Sequence, residues 1–196
     1  MPDSSLPAAH QARFRVLTVC TGNLYRSPVA ECLLRRRLAP LLEAIHVSSA
    51  GTAATPGVPV AATAASLLGM AADLPGTVTR RLTAGLVESA DLVLGAATEH
   101  REAAVRLSPV RALSRAFSLR EFARLVRAED AAGLVDPAAR LTALVKGAAA
   151  RRGSAGADVS DDDVADPLGA RPPEVREVFR RIEESVDRIA AVLLSR

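Results

Sequence analysis

Apolar positions along the chain follow two rhythms. FRVLTVC at residues 14–20 is a short, β-branched, nearly unbroken apolar run, which predicts a strand covered on both faces in a parallel sheet. AIHVSS at 44–49, DLVLG at 91–95 and a shorter segment at 115–118 repeat it. Between these runs the period lengthens toward that of a helix. Ser27 and Pro28 are expected to open a helix reaching about Pro40, Ser as N-cap and Pro at the first helical position. Val29, Cys32, Leu33 and Leu38 would share one side of it. Further helices are expected over about 59–71, 98–106 and 119–128, with another through ARLTALV after Asp136-Pro137. The last, about 173–194, sets Val175, Val178, Ile182, Val186 and Ile189 on one face.

Strands alternating with helices predict an α/β fold: a single three-layer domain with a four-stranded parallel sheet flanked by helices on both faces. Residues 1–12 are expected to form a disordered tail and 13–196 one domain, extended over 107–163. Within that extension GAAARRGSAGADVSDDD, residues 147–163, reads as a mobile loop. There is no internal repeat.

Composition narrows the function classes. With 196 residues, 49% apolar, and 25 basic against 22 acidic side chains for a net charge of +3, disorder of the whole chain is excluded. Five aromatics (Phe14, Tyr25, Phe117, Phe122, Phe179) leave the core to Leu, Val and Ala. They are too few for a base-stacking surface, so no nucleic-acid partner is expected. Arg35, Arg36 and Arg37 accordingly read as a solvated helical face. Two cysteines make no disulfide framework and have no zinc spacing with the three histidines, so neither metal nor cofactor is expected. No run approaches the ~20 apolar residues of a membrane span, and MPDSSLPAAHQA lacks a secretory pattern. The expected location is the cytoplasm.

The chemistry concentrates in VLTVCTGNLYRSPVAE, residues 16–31. A buried strand ends on Cys20, a five-residue loop follows, and Arg26 and Ser27 meet a helix N-terminus. This is an anion cradle between strand 1 and helix 1. Backbone N–H groups of Thr21, Gly22, Asn23, Leu24, Tyr25 and Arg26 can turn inward, the helix dipole adds positive charge, and Arg26 offers a planar fork for two oxygens. Gly22 is expected to supply backbone freedom, and Asn23 an unusual conformation with a bracing amide. The same field favours the Cys20 thiolate, a nucleophile aimed at whatever tetrahedral anion fills the cradle. Ser27 would donate a hydrogen bond to it.

Those residues, Cys20, Gly22, Asn23, Arg26, Ser27, Pro28, Ala30 and Glu31, resemble the loop of the low-molecular-weight protein tyrosine phosphatases. Ser49-Ala50-Gly51-Thr52, Ala90-Asp91-Leu92-Val93-Leu94 and an Asp-Pro before the last helix extend the resemblance over most of the chain. It implies a cysteine-dependent phosphatase acting through a phosphocysteine on Cys20, with Arg26 on the equatorial oxygens, Ser49 as loop support and no metal. A phosphorylated protein, phosphotyrosine favoured, or a small phosphoester would be the substrate. Leaving-group protonation needs an acid, and two Asp-Pro pairs compete. Asp166-Pro167 sits where the resembled family carries its acid, whereas Asp136-Pro137 opens another helix, so Asp166 is expected to serve. Asp161, Asp162 and Asp163 read as solvated loop charge.

Several positions depart from the family pattern. Tyr25 stands where many relatives have a Cys able to rescue the oxidised nucleophile, and Cys32 is assigned to core packing. Leu24 matches the aliphatic residue of tyrosine phosphatases rather than the Thr of related arginine phosphatases, yet Leu168-Gly169 follows the acid where an aromatic wall is usual. A His before the arginine upstream of strand three is replaced by Thr77, and a Met-Asp by Ala96-Ala97. His10, His46 and His100 receive no catalytic place. Two other readings fit the same motif: an arsenate reductase completed by an external small thiol, and a catalytically idle phospho-ligand binding module.

Overall fold

Every residue of β1 (Phe14–Cys20) except Arg15 is buried, as a strand at the centre of a sheet requires. It pairs in parallel with β2 (Ile45–Gly51) on one side and with β3 (Leu92–Gly95) on the other, and β4 (Ala116–Ser118) pairs with β3. The order is β2-β1-β3-β4. The computed structural model describes residues 13–60, 78–152 and 162–195. The tail at 1–12, the bulk of the helix expected over 59–71, Thr77 and Asp161 lie outside the described residues.

Side chains alternate across a strand, and the core divides accordingly. Val16, Cys20, Leu92, Leu94 and Phe117 face one apolar cluster. It is completed by α1 (Arg26–Arg37), α5 (Leu119–Leu125), α6 (Pro137–Arg151) and α7 (Pro172–Leu194). Leu17, Val19, Val93 and Ala116 face the second cluster. That face is covered by α2 (Ala84–Ser89), α3 (Thr98–Leu107) and α4 (Pro109–Ala112). Helices on both faces of a four-stranded parallel sheet are the expected three-layer arrangement.

Three local readings are corrected. Ser27 is not the N-cap of α1: the helix begins at Arg26 with Tyr25 as cap and no side-chain cap bond. The hydroxyl is committed to polar groups beneath the loop instead, and Pro28 is tolerated because the first-turn N–H groups have no intrahelical acceptor. The first half of α1 is also buried all round, from Arg26 to Leu34. The third correction concerns 147–163, whose first part is helix. α6 runs to Arg151 with Ala148 fully buried. Gly147 there is a close-approach residue, since a Cβ would lie within 2.6 Å of the Asp130 carboxylate. Arg35, Arg36 and Arg37 are exposed as expected. Arg37 reaches across to α7, binding Asp187 at 2.6 Å and Glu183 at 3.1 Å.

Candidate active site

The C-terminal ends of three strands converge on one point, because Cys20 pairs with Gly51 and Val19 with Gly95. Sites on open parallel sheets form at this edge. Between β1 and α1 the chain wraps around the Cys20 sulfur. The Asn23 N–H donates to Sγ at 3.2 Å and the Ser27 Oγ lies 3.0 Å from it. Asn23 holds φ at 54°, the left-handed conformation in which Asn is enriched. Gly22 shows no positive φ, so the unusual backbone conformation belongs to Asn23.

The Asn23 amide is the keystone. Its Nδ2 donates to Ser27 Oγ at 3.0 Å and Ser49 Oγ at 2.9 Å, and its Oδ1 accepts the Arg80 N–H at 2.8 Å. Arg80 also grips the Ser49 carbonyl through Nε and Nη2, at 3.1 and 2.7 Å. Ser27 has one hydroxyl proton and two acceptors in reach, the sulfur and the Ala50 carbonyl at 3.2 Å. A thiol can donate to Oγ while Ser27 donates to Ala50, and a thiolate can take the Ser27 proton.

Arg26 is 5% exposed despite its charge. Its Nη1 donates to the Val164 carbonyl at 3.1 Å, and its Nη2 to Thr21 Oγ1 at 3.2 Å and Asp166 Oδ2 at 2.5 Å. Asp166 is 49% exposed. A cavity of about 140 Å³ is lined by Cys20, Arg26, Asp166, Leu24, Tyr25 and Leu168 among others. The other Asp-Pro pair is elsewhere: Asp136 N-caps α6, accepting the Ala139 N–H at 2.7 Å.

The loop carrying Asp166 is pinned on several sides. Asp162 is 6% exposed and takes two bonds from Arg124, at 2.6 and 3.2 Å, while its carbonyl accepts the Ser118 hydroxyl at 2.8 Å. Asp163 accepts the N–H and hydroxyl of Thr98 at 2.7 and 2.8 Å. Val164 N–H donates to the Ala96 carbonyl at 2.8 Å. Asp162 is therefore a buried anchor, not solvated charge, whereas Asp163 is exposed as expected while still tying the loop to Thr98.

His100 also departs from expectation. It is 1% exposed and sits against the loop between β1 and α1, Nε2 lying 3.0 Å from Thr21 Oγ1 and Nδ1 accepting the Ala97 N–H at 3.0 Å. Burial, and next the Arg26 charge, push its pKa below the ordinary value; Glu99, Asp163 and Asp166 oppose them. Thr98, Arg80 and Arg124 are absent from the residues that the sequence singles out, and His100 is named there only as lacking a catalytic place. Thr98 and His100 had a signal in their place, just past the end of an apolar strand; Arg80 and Arg124 had none. Cys32 is buried on α1, and neither cysteine is in a disulfide. Among the described residues no cluster of His, Cys, Asp and Glu could hold a metal, and no helix is long and apolar enough to cross a membrane.

The family model for low molecular weight phosphotyrosine protein phosphatases matches residues 15–144. Among curated proteins, the low molecular weight protein-tyrosine-phosphatase Etp of Escherichia coli K12 is 38% identical over 95 residues, 48% of this chain and 62% of Etp. The probable low molecular weight protein-tyrosine-phosphatase EpsP of Ralstonia solanacearum is 38% identical over 80 residues, 40% of this chain and 52% of EpsP. The chain thus spans less than two thirds of the length of these relatives. Among solved structures, the YwlE arginine phosphatase from Geobacillus stearothermophilus superposes with a TM-score of 0.63 at 25% identity, covering 90% of each chain. The tyrosine phosphatase Wzb from Escherichia coli K30, in complex with sulphate, has a TM-score of 0.61 at 20% identity, covering 91% of this chain and 97% of Wzb. At that identity the likeness is one of fold.

Proposed function

The chain belongs to the low molecular weight phosphotyrosine protein phosphatase family, and from that membership we propose that it is a cysteine-dependent phosphomonoester hydrolase acting on phosphotyrosine in proteins. One observation carries the reading. Cys20, Arg26 and Asp166 line one small cavity, with the Arg26 guanidinium and the Asp166 carboxylate 2.5 Å apart.

In this mechanism the Cys20 thiolate attacks phosphorus in line. The S–P bond forms as the bond to the leaving oxygen breaks, and Asp166 gives that oxygen its proton. A water then attacks phosphorus, Asp166 takes its proton, and the S–P bond breaks to release phosphate and the thiolate. Arg26 and the loop amides stabilise the equatorial oxygens. Ser27 donates to the sulfur when it carries charge, and Asn23 and Ser49 hold the loop's shape.

The cavity rim supports an aryl substrate. Leu24, Tyr25 and Leu168 give apolar walls to a ring. A phosphoarginine guanidinium, by contrast, would need polar partners that Leu24 and Leu168 do not offer. The walls hold one aromatic, so stacking is limited and discrimination against phosphoserine is expected to be modest.

Hydrolysis of p-nitrophenyl phosphate from pH 5 to 8 tests the reading. Cys20→Ser abolishes turnover, and Asp166→Asn lowers kcat by about 10²–10⁴, the usual worth of a general acid. Phosphotyrosine peptides are turned over faster than phosphoarginine ones. Folded wild type that binds phosphate esters without turnover would establish a binding module instead, and arsenite formation with a small thiol a reductase.

A further inference from the structure

His100 is fully enclosed, belongs to a different element from the phosphate loop, and has a defined tautomer. A backbone N–H can only donate, so the bond from Ala97 leaves Nδ1 unprotonated. Nδ1 here takes the place that a Glu or Gln side chain fills at the third position of a helix. A neutral ring then carries its proton on Nε2, which points at Thr21 Oγ1 at 3.0 Å. Thr21 Oγ1 in turn accepts Nη2 of Arg26 at 3.2 Å. The charged groups around the ring are Arg26 from α1, Glu99 from its own helix, and Asp163 and Asp166 from the acid loop.

We infer that His100 is a positioning residue of the site: as a neutral Nε2–H donor it locks the Thr21 hydroxyl and thereby holds the Arg26 guanidinium in place. The inference rests on the phosphatase reading for its link to turnover. The Arg26 guanidinium has three anchors, two side chains and one carbonyl, and one of them, Asp166, is half exposed and must serve the leaving group during catalysis. The Val164 carbonyl on Nη1 and Thr21 on Nη2 then keep the fork oriented. Thr21 can do so only while its own rotamer is fixed, and His100 fixes it from α3. The first turn of α3 thus holds both halves of the site, since Thr98 grips Asp163 of the acid loop two residues earlier.

The test compares full-length wild type, His100→Leu, His100→Gln, Thr21→Val and the His100→Leu/Thr21→Val double variant. Two quantities are read: kcat and KM on p-nitrophenyl phosphate, and the Kd of inorganic phosphate by calorimetry. His100→Leu and Thr21→Val should each lower kcat about 10-fold, and the double variant should lose no more than either, because contacting residues in one network are non-additive. His100→Gln, whose Oε1 can accept the Ala97 N–H while its amide donates to Thr21, should stay within about 3-fold of wild type. Unchanged kcat in folded His100→Leu, or multiplied losses in the double variant, would overturn the inference. If His100→Leu does not fold, the contrast between an active His100→Gln and an impaired Thr21→Val decides, and equal impairment overturns it. Should wild type turn nothing over, the phosphatase reading fails by itself. The phosphate Kd then decides: the same pattern of losses upholds the positioning role, and identical Kd values reject it.

Discussion

Gly51 ends β2 directly opposite Cys20, and a Cβ there would stand 2.5 Å from the Thr21 carbonyl oxygen and 2.7 Å from the Asn23 nitrogen. Both neighbours are backbone, so no rotamer change can relieve the clash. Gly51→Ala is expected to cost about 1–3 kcal/mol, the range for overpacking, and to displace the loop. Because an error of about 1 Å in reacting geometry costs about 10²-fold, kcat should fall on that scale. Gly22→Ala is the control: its Cβ would meet nothing nearer than Leu24 Cδ1 at 3.5 Å. Its stability should stay level or rise by about 0.4–1 kcal/mol through the unfolded chain. Urea midpoints of the two variants check the contrast, and equal losses would contradict it. The pair also marks what the sequence can reveal. The anion cradle is legible, because a strand, Cys20, a short loop, Arg26 and Ser27 are contiguous. The residue that must lack a side chain is not, because the demand on Gly51 comes from a segment 28 residues away in the chain.

The same division holds for elements. Four strands and the last helix, around 172–194, follow from the apolar pattern, while the helices around 26–37 and 98–107 are marked by Ser27-Pro28 and by the placement of Glu99, Glu102 and Arg106; each lies within a few residues of its expected bounds. The loop that carries Asp166 does not. Asp161-Asp162-Asp163 carries no periodicity, and the partner of Asp162 stands on α5, 38 residues back in sequence. Charge in a Gly-rich stretch reads as solvent-facing until Arg124 is placed beside it. Arg124→Met leaves the Asp162 carboxylate buried and unpaired. Breaking a fully buried pair costs about 3–5 kcal/mol. Arg124 is 35% exposed, so a loss of about 2 kcal/mol is expected here once solvent screening is allowed for. Joint replacement, Arg124→Met with Asp162→Val, should recover most of it, because no orphaned charge remains. A kcat loss in Arg124→Met larger than the KM change would show that the pair serves Asp166 and not the core alone. Thermal midpoints and steady-state kinetics of both variants decide. Equal stability in Arg124→Met and wild type would contradict the burial argument.

Across the whole molecule, titration links the site to folding. His100 is buried with its pKa below the ordinary 6.5, by burial first and the Arg26 charge second. His46 is shifted the same way, by burial first and Arg15 next. Between each depressed folded value and 6.5 the unfolded chain binds more protons than the folded one, so stability rises with pH there. The contribution is complete above 6.5 and is lost as pH falls toward the folded values. A second, more acidic step comes from carboxylates. Asp130 is held below its usual 3.8 by a hydrogen bond and charge from Arg151, and Glu177 is pulled down to about 2 by Arg180 and Arg181. Their shifts stabilise the fold above the ordinary carboxylate range and are lost as pH falls through the depressed values. Stability should therefore decline in two steps on acidification. His100→Gln, which keeps both hydrogen bonds but cannot titrate, should flatten the step that begins near pH 6.5 and leave the acid step in place. Urea midpoints of wild type and His100→Gln at pH 7.5, 5.5 and 3.5 check this. The gap between the two proteins should change from 7.5 to 5.5 and stay constant below the folded pKa of His100. A wild-type midpoint no lower at pH 5.5 than at 7.5 would mean that His100 is charged in the fold, which the Ala97 N–H on its Nδ1 forbids.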